Sequence, residues 1–284
     1  MKKIIFALIT LSTLVFGSHK TIEGFSSPES TVVHNTNLYV SNVGKELKPT
    51  QKDGDGFISK LDLNGNIKQL HFIDGLNAPK GMGLIGNILY VADVDSLKGF
   101  DLASKKEVFS LFFKDVHFLN DITIKNSNTL FIGASDTSTI YEVNILNKSY
   151  KKLIDFTVAN GLFYEDGILY AAELGSSTQN MFDGKGKLYK IDLNDNNKLT
   201  RLGTFEGVLD GVHKIGNKIY VSDWVSFKKE GIIRSYDLKT QKGEILNTKK
   251  FFGAADFWID EKSNKLYLPE MIGGEITIVD LDNL

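Results

Sequence analysis

The sequence predicts an all-β fold, a six-bladed β-propeller with four-stranded blades, and three observations support this prediction. A short motif around an aromatic residue occurs six times, and a second motif around an acidic residue alternates with it. No segment after residue 17 has the apolar spacing of an amphipathic helix. The chain has 284 residues, 42% of them hydrophobic, so it is long enough to bury one large all-β core.

The N-terminal segment has the pattern of a secretory signal peptide. Lys2 and Lys3 precede an apolar run over residues 4–16, and Gly17 and Ser18 follow it. The run is short for a bilayer-spanning helix, and the small residues fit cleavage before Ser18. We therefore expect a signal peptide at 1–17 and a propeller at 18–284. The protein would be periplasmic or secreted, with no integral membrane segment after cleavage.

The first motif is a turn, then an aromatic-bearing apolar strand, then a small or acidic residue. Its aromatic residues are Tyr39, Tyr90, Phe131, Tyr170, Tyr220 and Tyr267. The intervals between them are 51, 41, 39, 50 and 47 residues. This is the period of a four-stranded propeller blade.

The second motif is an alternating strand that ends in an apolar residue, an Asp and a Leu. Its acidic positions are Asp62, Asp101, Asp192, Asp237 and Asp280, with Asn144 in the third blade. Because Asp280 lies almost at the C-terminus, blade six lacks an outer strand of its own. Residues 20–25 precede the first inner strand and are predicted to supply it. This closure pairs an open sheet edge and favours a monomer.

Blades one, four and five have extra residues between their second and third strands, at Gly44–Gly56, Gly175–Gly186 and Trp224–Gly231. These loops are predicted to share one face of the propeller and to surround a pocket there. Part of the first loop is similar to a calcium-binding EF-hand loop. Gln51 and Asp62 would occupy two key ligand positions, however, and a strand follows rather than a helix. We interpret the segment as a tight loop that leads into the third strand of blade one.

Inner strands of a propeller converge on the central channel, so the residue at the start of each is predicted to face the channel mouth. Aligning the blades gives the ring Glu29, Lys80, Asn120, Asn160, Asp210 and Ala255. Carboxylate and amide oxygens suit one divalent cation, Ca²⁺ first, with Mg²⁺, Mn²⁺ or Zn²⁺ as alternatives. Asn-Gly and Asp-Gly are also common turn dipeptides, but their identical offset in successive blades favours a functional role.

The residues around this ring resemble those of the senescence marker protein, gluconolactonase and luciferin-regenerating family of six-bladed propellers. The matching segments are Ser27-Pro28-Glu29, Leu119-Asn120-Asp121, Asn160-Gly161-Leu162-Phe163 and Leu209-Asp210-Gly211. The resemblance covers essentially the whole chain after the signal peptide, loosely outside these strand starts. It implies that Glu29, Asn160 and Asp210 bind a divalent cation and that Asn120 contacts substrate or water.

Two positions depart from the family pattern. Gluconolactonase-like members carry an Arg two residues before the third-blade Asn, where this chain has Phe118. A bidentate grip on a polyhydroxy acid is therefore not expected. Lys80 is a cation in a ring that would hold a cation. It either pairs with Glu29, which weakens metal binding, or holds an anionic ligand.

The sequence favours an exported, metal-dependent hydrolase of the lactonase or esterase type, with Asp210 deprotonating the attacking water. Asn120, Lys80, Trp224 and His213 are the predicted substrate-binding residues. Trp224 opens a long loop, where it stacks on a ligand or caps the core. His213 lies three residues into an inner strand, where it packs in the channel or joins the pocket. The alternative is a non-catalytic propeller, similar to NHL repeat domains, that binds a small ligand or a protein.

Composition narrows the partners and the chemistry. Net charge is −2 without a basic block, so we expect no nucleic-acid partner. The chain has no Cys, which excludes disulfides, thiolate metal sites and a Cys nucleophile. No G-x-S-x-G motif is present, so serine catalysis is not expected. The expected partner is a small-molecule ligand or substrate.

Overall fold

The computed structural model describes residues 19–246 and 249–284. Their strands form six antiparallel sheets of four strands each, arranged in a ring. From blade one to blade five, neighbouring inner strands contact one another around the channel, and the inner strand of blade six contacts that of blade one. The predicted six-bladed β-propeller is confirmed.

The strands are numbered in chain order. The first is β1 (Lys20–Glu23), and blade one follows with β2 (Pro28–His34), β3 (Asn37–Asn42), β4 (Gly56–Asp62) and β5 (Ile67–Leu76). Blade two has β6 (Pro79–Ile85), β7 (Ile88–Asp93), β8 (Ser96–Asp101) and β9 (Glu107–Phe112). Blade three has β10 (Leu119–Asn126), β11 (Thr129–Ala134), β12 (Thr139–Asn144) and β13 (Ser149–Asp155). Blade four has β14 (Ala159–Glu165), β15 (Ile168–Glu173), β16 (Gly186–Asp192) and β17 (Lys198–Gly207). Blade five has β18 (Leu209–Ile215), β19 (Lys218–Asp223), β20 (Ile232–Asp237) and β21 (Lys242–Ile245). Blade six has β22 (Trp258–Asp260), β23 (Lys265–Glu270) and β24 (Glu275–Asp280), and a 3₁₀ turn, Leu281–Asn283, follows.

Strand β1 completes blade six, as the sequence predicted. It pairs antiparallel with β24, from Lys20 opposite Ile278 to Glu23 opposite Glu275. The predicted segment 20–25 ends as a strand at Glu23, and the Phe25 amide then donates to the Gly274 carbonyl at 3.1 Å. The blade therefore combines the two ends of the described chain.

The aromatic residues of the first motif belong to the core between the blades. Tyr39, Phe131 and Tyr267 are almost completely buried. Tyr39 packs against Phe72, with 5.5 Å between ring centroids. Because each blade buries its faces against its neighbours, the motif recurs wherever a second strand has to fill this space.

The acidic residue of the second motif closes a turn between the third and fourth strands. In blade one, Asp62 Oδ1 accepts hydrogen bonds from the backbone amides of Asn64 and Asn66, both at 2.9 Å. In blade five, Asp237 Oδ1 accepts from Lys239 and Thr240. This is the local turn chemistry that Asp and Asn favour.

The three long loops lie where the sequence predicted them, after β3, β15 and β19. The segment similar to an EF-hand leads into β4, the third strand of blade one. Among residues 19–246 and 249–284, no helix has the length and apolar character needed to cross a bilayer. The predicted signal peptide at 1–17 lies outside the described residues.

Candidate functional site

A bulge recurs where each of the first five inner strands reaches the channel. In blade one, Pro28 pairs with Asn42 but Thr31 pairs with Val40, so two inner-strand residues, 29 and 30, face a single partner residue. The same shift occurs at residues 80–81, 120–121, 160–161 and 210–211. A bulge reorients the side chains next to it. In these blades it falls on the predicted ring residue.

The structure brings five of the six predicted ring residues to one cavity of about 230 Å³. These are Glu29, Lys80, Asn120, Asn160 and Asp210. The sixth, Ala255, is buried in an apolar cluster that includes Trp224 and Met271. The cavity therefore has a polar end made from five blades.

The glycines after the ring residues allow the blades to approach closely at the axis. A Cβ on Gly161 would lie 1.9 Å from the Asp210 carbonyl oxygen. A Cβ on Gly211 would lie 2.7 Å from a carboxylate oxygen of Asp256. Neither glycine has a positive φ, so these Asn-Gly and Asp-Gly pairs are not turn dipeptides. Contact between blades, not turn formation, accounts for glycine here.

Three cavity residues each hold one buried oxygen with no hydrogen-bond partner among the described residues: Glu29 Oε2, Asn160 Oδ1 and Asp210 Oδ1. In Asn160 and Asp210, the second polar atom of the side chain forms a hydrogen bond. Asn160 Nδ2 donates to the Leu209 carbonyl at 2.9 Å, and Trp224 Nε1 donates to Asp210 Oδ2 at 2.8 Å. Buried polar atoms without partners are rare and costly in folded proteins. These three oxygens belong to the residues that the family resemblance implies as cation ligands.

Burial raises the pKa values of the channel carboxyl groups. It raises the pKa of Asp210 to about 8, with a further contribution from the negative charge of Asp256. It raises the pKa of Asp256 to about 7. The pKa of Glu29 lies well above its usual range because of burial and, next, the nearby charge of Asp210. A bound cation would relieve this repulsion and favour the ionised carboxylates.

Lys80 does not form an ion pair with Glu29 within the described ranges, and its amine is engaged elsewhere. Nζ donates to the Pro49 carbonyl at 2.7 Å and to the Ala78 carbonyl at 2.8 Å. It also lies 5.2 Å from the ring centroid of Phe118. Burial lowers the pKa of Lys80 to about 8. Lys80 thus ties the first long loop to the ring and leaves Glu29 Oε2 without a hydrogen-bond partner among the described residues.

Of the remaining predicted ligand contacts, the structure brings Asn120 and Trp224 to the cavity but not His213. Asn120 Nδ2 donates to Ser135 Oγ at 3.0 Å. His213 lines a second cavity of about 330 Å³, together with Asp256 and Trp258. Three residues of strand span about 10 Å, which carries His213 toward the opposite mouth of the channel.

In four blades, a polar residue at the end of the second strand, acidic in three of them, holds the segment that leads into the inner strand. Asp93 accepts hydrogen bonds from the amides of Asn77 and Ala78, which directly precede β6. Corresponding bonds join Asn42 to the Ser26 amide, Asp223 to the Val208 amide and Glu270 to the Phe252 amide. We call Asn42, Asp93, Asp223 and Glu270 the clasp residues. They fix the backbone a few residues before the ring.

Sequence reasoning missed the apolar part of the cavity. This part is lined by Leu47, Pro49, Phe118, Leu174, Phe182, Phe227 and Met271. One signal was available, because the residue that directly follows the second strand is apolar in Leu174, Trp224 and Met271. For the loop residues Leu47, Phe182 and Phe227, no periodicity indicates which side chains face inward.

The residues that could bind a cation offer oxygen atoms, but only two of the three side chains are carboxylates. Across the described parts of the chain, no group of three or more His, Cys, Asp or Glu side chains is arranged to hold a metal ion. The candidate site instead combines two carboxylates with the amide oxygen of Asn160. Such a mixed oxygen set is compatible with Ca²⁺ when water completes the coordination.

Comparison with known proteins supports the fold and not a family. No family model matches the sequence, and no curated protein matches it. A solved structure that matches is the crystal structure of a nidogen/laminin complex, with a TM-score of 0.56 and 12% sequence identity. The match covers 92% of this chain and 93% of that chain. By fold, the chain is a six-bladed β-propeller, and its resemblance to the gluconolactonase-type family stays a prediction.

Proposed function

We propose that this chain is an exported hydrolase of esters or lactones that depends on one divalent cation held in the channel. The observation that carries the proposal is the set of three unpaired buried oxygens on Glu29, Asn160 and Asp210. All three residues line one cavity. An oxygen-only donor set favours Ca²⁺ over softer metals.

Different residues of the chain would have different roles in such a reaction. A bound divalent cation would supply Lewis-acid polarisation of the substrate carbonyl. Asp210 lines the cavity, is oriented by Trp224 Nε1 and keeps Oδ1 without a hydrogen-bond partner among the described residues, so this carboxylate could accept a proton from water. Asn120 is held by Ser135 and can hydrogen-bond the substrate. Leu174 and Met271 belong to one buried apolar cluster and line the same cavity, where an apolar wall would strengthen these interactions.

The alternative, a non-catalytic binding module, is less well supported by the position of Lys80. If Lys80 neutralised Glu29, its ammonium group would replace a cation. Nζ instead donates to two backbone carbonyls. Glu29 Oε2 keeps no partner among the described residues.

The test combines metal binding with turnover. Purified protein freed of metal is titrated with Ca²⁺, Mg²⁺, Mn²⁺ and Zn²⁺ and assayed on a panel of esters and lactones. We expect a cation to bind and to be required for turnover, and Asn160→Ala and Asp210→Asn to weaken both. Asp237→Asn, which changes a turn carboxylate outside the cavity, serves as the control. Failure to bind any divalent cation at millimolar concentration would refute the proposal, and binding without turnover would favour the non-catalytic alternative.

A further inference from the structure

We infer that the substrate of this cavity carries a hydrocarbon chain, which binds an aromatic cluster formed by Phe182, Trp224 and Phe227. This inference rests on the proposed function for the reacting carbonyl, but it concerns a different part of the cavity. It assigns the site to esters or lactones with an apolar tail rather than to polyhydroxy lactones.

The aromatic cluster joins two of the long loops. Phe182 comes from the loop between β15 and β16, and Trp224 and Phe227 come from the loop between β19 and β20. The Phe182 ring centroid lies 5.1 Å from that of Phe227 and 6.3 Å from that of Trp224. Trp224 and Phe227 are 5.8 Å apart. The two loops therefore build one continuous apolar surface.

This surface is connected to the polar end of the cavity. Trp224 is buried and donates to Asp210, whereas Phe182 and Phe227 are 43% and 52% exposed. Leu47, from the first long loop, lines the same cavity and is 39% exposed. The cavity thus grades from buried carboxylates to exposed hydrophobic side chains. Large apolar side chains exposed together at a concave site commonly mark a ligand-binding surface.

The polar groups that a sugar-like substrate needs are not present at the apolar end. Arg201 is engaged with Glu206 and Arg234 with Asp223, and within the described residues neither Arg lines the cavity. The Lys80 amine is directed to backbone carbonyls and lies against Phe118. Hydroxyl groups placed among Leu47, Phe182 and Phe227 would lose hydrogen bonds to water without replacement.

A chain-length series tests the inference through kinetics. Cation-loaded protein is assayed on 4-nitrophenyl esters from acetate to decanoate, on γ-lactones with alkyl chains of increasing length, and on glucono-δ-lactone. Each methylene that becomes buried should raise kcat/KM by about fourfold, mainly through KM, until the chain extends beyond the cluster. Phe182→Ser and Phe227→Ser should each flatten this dependence. Phe112→Ser, which changes a phenylalanine on β9 that is more exposed than either and lies outside the cavity, should leave it unchanged.

A binding measurement separates this inference from the proposed function. The chain has two tryptophans, so Trp258→Phe leaves Trp224 as the sole indole reporter. Methyl ketones from 2-butanone to 2-undecanone have no scissile bond, and their binding should change Trp224 fluorescence with an affinity that rises with chain length. Chain-length-dependent ketone binding without hydrolysis of any ester or lactone would support the apolar site and refute the hydrolase. Hydrolysis that prefers glucono-δ-lactone, or that is indifferent to chain length, would overturn the inference and leave the hydrolase standing. A Trp224 signal that does not depend on chain length would also overturn the inference.

Discussion

At the scale of single residues, the channel carboxyl groups determine how the cation-free protein responds to pH. Burial raises the pKa of Asp210 to about 8 and that of Asp256 to about 7, whereas both are near 4 in an unfolded chain. The folded state therefore binds more protons than the unfolded state up to these raised values. Their stabilising contribution is complete below about pH 4 and is lost as pH rises through 7 and 8.

We accordingly predict that cation-free protein loses stability between about pH 6.5 and pH 8, by roughly 2–3 kcal/mol in the free energy of unfolding. This window avoids His213, whose pKa is lowered to about 4 by burial and which contributes the opposite slope only below about 6.5. Lys80, whose pKa is lowered to about 8, opposes this slope in the upper part of the window, whereas Glu173, whose pKa burial raises to about 7, adds to it. Urea denaturation in a chelating buffer at several pH values measures the slope. A stability that is flat or rises over this window contradicts the prediction.

Asp210→Asn provides a second prediction at this scale. The substitution removes the buried negative charge and leaves an oxygen able to accept the Trp224 Nε1 hydrogen bond. We expect the variant to lose more than about tenfold in cation affinity. Without cation at pH 8, it should be at least as stable as the unchanged protein, because no buried carboxyl has to ionise at this position. Calorimetric titration and thermal melts with and without Ca²⁺ measure both effects, and equal stabilisation by Ca²⁺ in the two proteins would show that Asp210 is not a ligand.

At the scale of elements, the clasp residues connect the repeat pattern to the site. Asp223 is buried at the end of β19, where Oδ1 accepts from the amides of Val208 and Val225 at 3.0 and 2.8 Å. Oδ2 pairs with Arg234, with Nε at 2.8 Å. One carboxylate therefore holds both segments that flank the Asp210–Trp224 hydrogen bond.

We predict that Asp223→Ala lowers the free energy of unfolding by about 3 kcal/mol, because it leaves Arg234 and two backbone amides without their acceptor. Cation binding should weaken as well, since Val208 precedes β18 and Val225 follows Trp224. Asp237→Ala is the matched control, because it removes an acceptor of two backbone amides in an exposed turn. The control should destabilise the protein much less than Asp223→Ala and leave cation binding intact. If the two variants are equally stable and bind cation equally, the clasp has no role in forming the site.

The sequence predicted features that depend on local chemistry repeated in every blade. The strand starts that carry Glu29 and Asp210 each lie 10 residues before the aromatic of the second strand, and a turn-forming Asp ends the third strand at a spacing that varies with the loop. Contacts between residues that are distant in the sequence and occur only once were not predicted. The Lys80–Phe118 contact joins neighbouring blades, so both were interpreted as departures from a family pattern and not as a pair.

The position of an inner-strand side chain along the channel axis also could not be predicted from its distance in sequence to the repeated motifs. His213 was named as a substrate-binding residue with channel packing as the alternative, and three residues of extended strand place it at the second cavity instead of the first. Which loop side chains face inward depends on irregular backbone, so Phe182 and Phe227 carry no periodic signal. The polar half of the candidate site was thus predictable, and the apolar half was not.

At the scale of the whole molecule, β1 joins the beginning of the described chain to its end. Ile22 on β1 packs with Leu38, Tyr267 and Ile278, which come from blades one and six. A Cβ on Gly65, in a turn of blade one, would lie 2.7 Å from Ile22 Cδ1. The strand therefore covers the edge of β24 and also contacts the neighbouring blade. Its pairing and its packing both contribute to ring closure.

Removal of β1 tests this closure. A chain beginning at Phe25 should unfold with a free energy about 2–4 kcal/mol lower than one beginning at His19, because it loses four paired strand residues and the burial of Ile22. The exposed edge of β24 should also promote self-association, since unpaired backbone groups on an edge strand can pair with a second copy. Urea denaturation and sedimentation velocity measure the two effects, and Ile22→Ser in the longer chain separates the loss of packing from the loss of pairing. A shortened chain that stays monomeric and unfolds at the same urea concentration would mean that the ring closes without β1.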